Sequence, residues 1–117
     1  MKYTDQYITI NNKQVKQINK TTALDLFNSS RTIFKEEGFN IMYVEATFNV
    51  AKTLIKLKKI KEANSLLDEV ILLSRTYEYK KIHSAALNSI GFIAFKENKL
   101  DKALTQTKKG LQISITL

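Results

Sequence analysis

The chain repeats itself at an interval of 40 residues, which restricts it to a stack of similar units. IKEANSLLDEVILLS, from Ile60, aligns with LDKALTQTKKGLQIS, from Leu100. The alignment pairs Ile60 with Leu100, Ala63 with Ala103, Ile71 with Leu111 and Leu73 with Ile113. The preceding stretches hold the same offset, pairing Ala46 with Ala86, Val50 with Ile90, Ala51 with Gly91 and Ile55 with Phe95. One further step back lands on Ala23 in TTALDLFNSSRTIF, where Phe27 faces Leu67 and Ile33 faces Leu73. Three units follow, about 1–38, 39–78 and 79–117, within a single domain.

Each unit reads as two helices. Ala46, Val50 and Leu54 recur every four residues beside Thr47, Ala51 and Ile55, a broad apolar stripe at helical spacing. The third unit repeats it with Ala86, Ile90 and Ala94 beside Leu87, Gly91 and Phe95, and trades Leu54-Ile55 for Ala94-Phe95. The second helices carry Leu66, Leu67, Val70, Ile71 and Leu73, a face wide enough for neighbours on two sides. Short polar links, Lys58-Lys59 and Asn98-Lys99, suit helical hairpins. Gly38 suits a left-handed stop because it has no Cβ, Asn98 suits another, and Asn40 is placed to cap the next helix. Thr21 or Thr22, with Asp25, is placed to cap the second helix of the first unit. Tyr7-Ile8-Thr9-Ile10 before Asn11-Asn12 reads as a strand and turn as easily as a helix, and the repeat offset argues for the helix.

Composition closes off several chemistries. With no proline and three glycines, a barrel or sandwich with many hairpins is not expected. With no cysteine there is no disulfide framework or thiolate zinc site, and the single His83 excludes a site needing two histidines in one chain. No glycine-rich phosphate loop, hydrolase or kinase signature is present, and no carboxylate or nucleophile stands at helical spacing to His83. The expectation is therefore no catalytic residue, no metal and no cofactor. The start, Met1 to Asp5, leads into polar residues rather than a secretory signal, and the longest strongly apolar stretch, Val70 to Leu73, cannot span a bilayer, so the cytoplasm is the expected compartment.

The net charge is +8, which raises nucleic acid as a partner. The excess is spread along the chain, however, and seventeen lysines outnumber two arginines, whereas phosphate and base-edge readers lean on arginine's fork. Lys52, Lys56, Lys58, Lys59 and Lys61 read first as a solvated helix end, where cations meet the negative end of the helix dipole.

On these residues the chain resembles the tetratricopeptide repeat, a helix–turn–helix unit of about 34 residues. The third unit carries the likeness, with Leu87, Ile90-Gly91, Ala94-Phe95, Ala103-Leu104 and Gly110-Leu111 at the family's spacing. Leu87 replaces the usual tryptophan, Ala94 the tyrosine and Thr107 the second-helix aromatic, and the closing proline is missing. In the second unit Ala51 stands for the glycine and Thr47 for the tryptophan. The likeness covers residues 40–115. It implies an all-α fold, a right-handed α-solenoid of about three antiparallel helix hairpins, with Gly91 against Ala103 and Gly110 meeting the next helix. Units longer than usual by about one and a half helical turns are similar to those of Gram-positive peptide-pheromone receptors, the quorum-sensing regulators and aspartyl-phosphate phosphatases. Those families bind a short peptide in a concave face. Neither a DNA-binding helix–turn–helix domain nor a separate N-terminal bundle is legible in these 117 residues.

A solenoid lines its inner surface with the first helices of its units. The inward candidates are Glu45, Phe48, Asn49, Lys52 and Lys56 in the second unit, Asn88, Phe92 and Lys96 in the third, and Asn12 with Lys16 in the first. Asparagine amides bond both backbone groups of an extended peptide, lysines attract carboxylates, and the phenylalanines serve either as apolar pockets or as packing between units. Asn12 and Asn49 match two places of the carboxylate clamp of chaperone-binding members, but Ile8, Ala85 and Ser89 fill the others, so that clamp is not carried over.

Ile113, Ile115 and Leu117 cannot share one helical face, so the C-terminal end is expected to be a fragment's cut end or to be buried against a second copy. The expected function is a protein- or peptide-binding module, with structural self-assembly as the alternative.

Overall fold

The computed structural model describes residues 12–115, with side chains from residue 22 onward. The strand-or-helix alternative at Tyr7–Ile10 and the position of Leu117 lie outside the described residues. Within them the protein is all-α, with five sequential antiparallel helices. These are α1 (Asn12–Glu37), α2 (Asn40–Lys56), α3 (Ile60–Thr76), α4 (Lys80–Lys96) and α5 (Leu100–Ile115).

The helix ends follow a rule that only part of the sequence advertises. Left-handed residues recur every twenty positions: Gly38 (φ 74°), Lys58 (62°), Glu78 (60°) and Asn98 (61°). In each turn the amide just after the left-handed residue bonds five residues back: Phe39 to the Phe34 carbonyl (2.9 Å), Lys59 to Leu54 (2.9 Å), Tyr79 to Ser74 (2.7 Å) and Lys99 to Ala94 (2.8 Å). The left-handed residue itself donates three residues back, so all four links are Schellman turns that satisfy the last carbonyls of the helix. At the first, the rings of Phe34 and Phe39 meet at 6.5 Å, the apolar contact that accompanies the motif.

Gly38 and Asn98 therefore stop helices as expected. Asn40 does not cap α2, whose N-cap is Phe39 with no side-chain hydrogen bond. The link is so short that the residue closing one helix must also open the next: the Phe39 carbonyl already accepts from Tyr43 N–H (2.9 Å), and Lys59, Tyr79 and Lys99 do the same for Ala63, His83 and Ala103.

Thr21 and Thr22 do not begin a helix either, because α1 runs unbroken through them for 26 residues. The twenty-residue spacing puts Ile18 in the left-handed slot. β-branched residues as a type tolerate left-handed backbone poorly, and the helix runs through this position where the later slots turn.

Each helix packs mainly on its neighbours in sequence, and α2 also touches α4. The molecule measures 49 × 39 × 22 Å, and the short dimension equals about two helix diameters. One layer holds α2 and α4, and the other holds α1, α3 and α5. The larger core cluster joins Val44 and Ala51 of α2, Leu67 and Val70 of α3, and Ala86 and Ile93 of α4. A second unites Val50, Leu54 and Ala63 under Leu24 and Phe27 of α1. Leu67 and Val70 are wholly buried, each contributing about 1.5–3 kcal/mol.

Small residues set the spacing within the pairs. Gly91 lies against Ala103 and Thr107, and a Cβ there would stand 2.7 Å from Thr107 Oγ1 and 3.2 Å from the Ala103 carbonyl. Gly110 is equally tight, but it meets Ser84 and Asn88 of its own pair rather than a further helix. The buried Ser84 hydroxyl donates to the Gly110 carbonyl (2.7 Å) and shares a 2.6 Å bond with Ser114 Oγ. Nor does Phe95 balance core volume for Ala94: Ala94 is buried, while Phe95 is 58% exposed.

Candidate functional site

The α2/α4 layer carries most of the residues singled out by the repeat register. Glu45, Lys52 and Lys56 are exposed on α2, and Phe48 and Asn49 are half-buried beside them. On α4, Asn88, Phe92 and Lys96 are exposed. Asn12 and Lys16 belong to the first turns of α1, and their side chains lie outside the described residues.

Two lysine–phenylalanine pairs at helical i, i+4 spacing mark this layer. Lys52 Nζ sits 4.8 Å from the centre of the Phe48 ring, and Lys96 Nζ 5.5 Å from that of Phe92. Each cation lies on the electron-rich ring, worth about 0.5–1 kcal/mol at an exposed site. The two rings differ in what else they do. Phe48 packs on the core shared by α2, α3 and α4, whereas Phe92 is 51% exposed.

At the foot of the layer a cavity of about 420 Å³ opens between Ile55, Ile60, Phe92 and Ile93, with Lys58, Lys96 and Glu97 at its edge. Its volume falls in the range of ligand pockets, and its combination of apolar wall and charged rim can hold an apolar side chain while steering an anionic neighbour. Sequence reasoning missed Ile55, Ile60 and Ile93 as cavity residues because their spacing marks them only as core.

Asn88 does not join Asn49. Its amide lies over Gly110, with Oδ1 2.5 Å from where a Cβ would stand, and it lines the α4/α5 seam. On that seam Phe92, Phe95, Leu100 and Leu104, all more than half exposed, surround a second cavity of about 500 Å³. The same edge of α5 continues through Leu111 (59% exposed) and Ile115 (74%), while Ile113 is half-buried against the α3 side.

A polar cluster that nothing in the sequence pattern signals ties α1, α2 and α3 together. Arg31 Nε donates to Thr47 Oγ1 at 2.9 Å, and its Nη2 reaches Tyr43 Oη at 3.3 Å and Glu69 Oε2 at 3.5 Å. Tyr43 Oη in turn donates to Glu69 Oε1 at 2.6 Å. With Thr47 fully buried, this cluster fixes α1 against α3 at one end of the slab.

His83 lies half-buried in a cleft between α3 and α5, over α4. Burial, and then the Arg75 guanidinium, push its pKa below the usual histidine value, so its imidazole is neutral at pH 7. Among the described residues no cluster of histidine and carboxylate groups could hold a metal ion, and no helix is long and apolar enough to cross a membrane.

No family model matches the chain, and no curated protein or solved structure is detectably similar to it.

Proposed function

We propose that the protein is a tetratricopeptide-like interaction module that binds an extended peptide or protein segment along the α2/α4 face and performs no catalysis. The observation that carries this is the apolar cavity of about 420 Å³ at the foot of that face, bordered by the exposed Phe92–Lys96 pair. The solenoid part of the reading is supported by the 40-residue register of small residues, Ala51 with Gly91 and Ala63 with Ala103, by the contact of Gly91 with Ala103, and by the packing of α2 on α4.

In this mode a preformed groove accepts an apolar side chain of the segment beside Phe92, and Lys52, Lys56 and Lys96 attract its acidic groups. The likeness to pheromone receptors makes a short peptide, met in the cytoplasm, the ligand class. Selection of peptides from a displayed random library tests the proposal. Phe92→Ala with Lys96→Ala should abolish recovery of the selected sequences while circular dichroism shows unchanged helicity. Equal recovery on both proteins would refute it.

A second reading, self-association, is favoured by the exposed edge formed by Leu100, Leu104, Leu111 and Ile115 on α5. Light scattering over a dilution series separates the two, because Leu111→Lys should dissociate a dimer without affecting peptide selection.

A further inference from the structure

The cleft between α3 and α5 differs in chemistry from its counterpart one unit earlier. In the earlier unit, Arg31 of α1 and Glu69 of α3 pair over Tyr43. Forty residues on, Lys109 stands where Glu69 stood, His83 where Tyr43 stood, and Arg75 where Lys35 stood. The acid that answers cations in the first cleft is thus a lysine in the second. There a cavity of about 480 Å³ is bordered by Arg75, His83, Gln106, Lys109 and Gln112, with no carboxylate among its lining residues. Neither Arg75 nor Lys109 is in a salt bridge among the described residues.

We infer that this cleft is a binding site for a small phosphate monoester. Arg75 and Lys109 come from facing helices and supply two positive charges at the rim, matching a phosphate dianion. The amides of Gln106 and Gln112 offer donors to the remaining oxygens, and the His83 ring donates from one nitrogen in its neutral form. Leu87 and Ile113 form an apolar floor on which the ester's organic body rests. The site lies on the opposite layer from the α2/α4 face, so the two proposals stand or fall separately.

The test is titration of the intact protein with phenyl phosphate at about 150 mM salt, where bulk attraction by the +8 charge is screened beyond about 8 Å. The readout is the ring resonances of His83, the sole histidine. A saturable shift is expected, with inorganic phosphate binding about tenfold more weakly because it lacks the apolar body. Lys109→Glu restores the acid of the earlier unit and should remove the shift while raising the thermal midpoint through a pair with Arg75. Arg75→Gln serves as a second variant and should weaken phenyl phosphate by about tenfold or more. Absence of saturation, an undiminished shift in both variants, or equal affinity for inorganic and phenyl phosphate would overturn the assignment.

Discussion

Replacing Lys58 and Glu78 by glycine should stabilise the protein, because both hold a left-handed backbone at φ near 60° that costs a side-chain-bearing residue about 1–2 kcal/mol. Glycine removes that cost but adds unfolded-state freedom worth about 0.4–1 kcal/mol, leaving a net gain of about 0.5–1 kcal/mol per site. Charge does not confound the comparison to first order. Each residue sits between the C-terminus of one helix and the N-terminus of the next, where opposite dipole ends meet. Asn98→Gly should gain least, since asparagine tolerates the left-handed region. Lys58 and Glu78 lie in different turns, so the double variant should add to about 1–2 kcal/mol, or about 4–8 °C in thermal midpoint. Urea melts followed by circular dichroism measure this, with Lys58→Ala as the control that keeps the strain and should change little. Destabilisation by glycine at 58 and 78, or an alanine gain equal to the glycine gain, would refute the backbone argument.

Gly91→Ala should cost about 1–3 kcal/mol, because its Cβ would press on Thr107 Oγ1 at 2.7 Å, and Thr107→Ala should recover part of the loss in the double variant. Glu69→Gln should cost about 0.5–1 kcal/mol by weakening its bonds to Tyr43 and Arg31, a small value because the ion pair is partly solvated, and a urea melt reads it. Stability should fall as pH drops below 6.5. The unfolded His83 takes up its proton near that pH while the folded ring resists until its lowered pKa, so melts at pH 8 and pH 5 should differ less in His83→Gln.

The helices α2 to α5 were legible because their apolar residues keep helical spacing and their small residues keep the 40-residue offset. The stops at Gly38 and Asn98 were legible from residue type, whereas Lys58 and Glu78 carry no such mark; their backbone is imposed by the helices on either side. The length of α1 was not legible, because the capping potential of Thr21 and Thr22 is a local signal, whereas a helix start there also needs a turn at the Ile18 slot, and the helix runs through it. At the candidate face, exposure of Glu45, Lys52 and Lys56 follows from the helical period. The position of Asn88 does not, since the hollow above Gly110 exists only once α5 has docked. The Arg31 cluster joins residues up to 38 positions apart and has no local signature.

The uniform links also make the molecule divisible. Phe39 and Tyr79 hold the same post in turns of the same design, so joining one directly to the chain following the other would excise a whole hairpin without disturbing either junction. Such a shortened chain would bring Arg31 against Leu87 and Lys109 in place of Thr47 and Glu69. Gain or loss of modules is therefore governed less by the hinges than by whether the side chains of the newly adjacent units agree in charge.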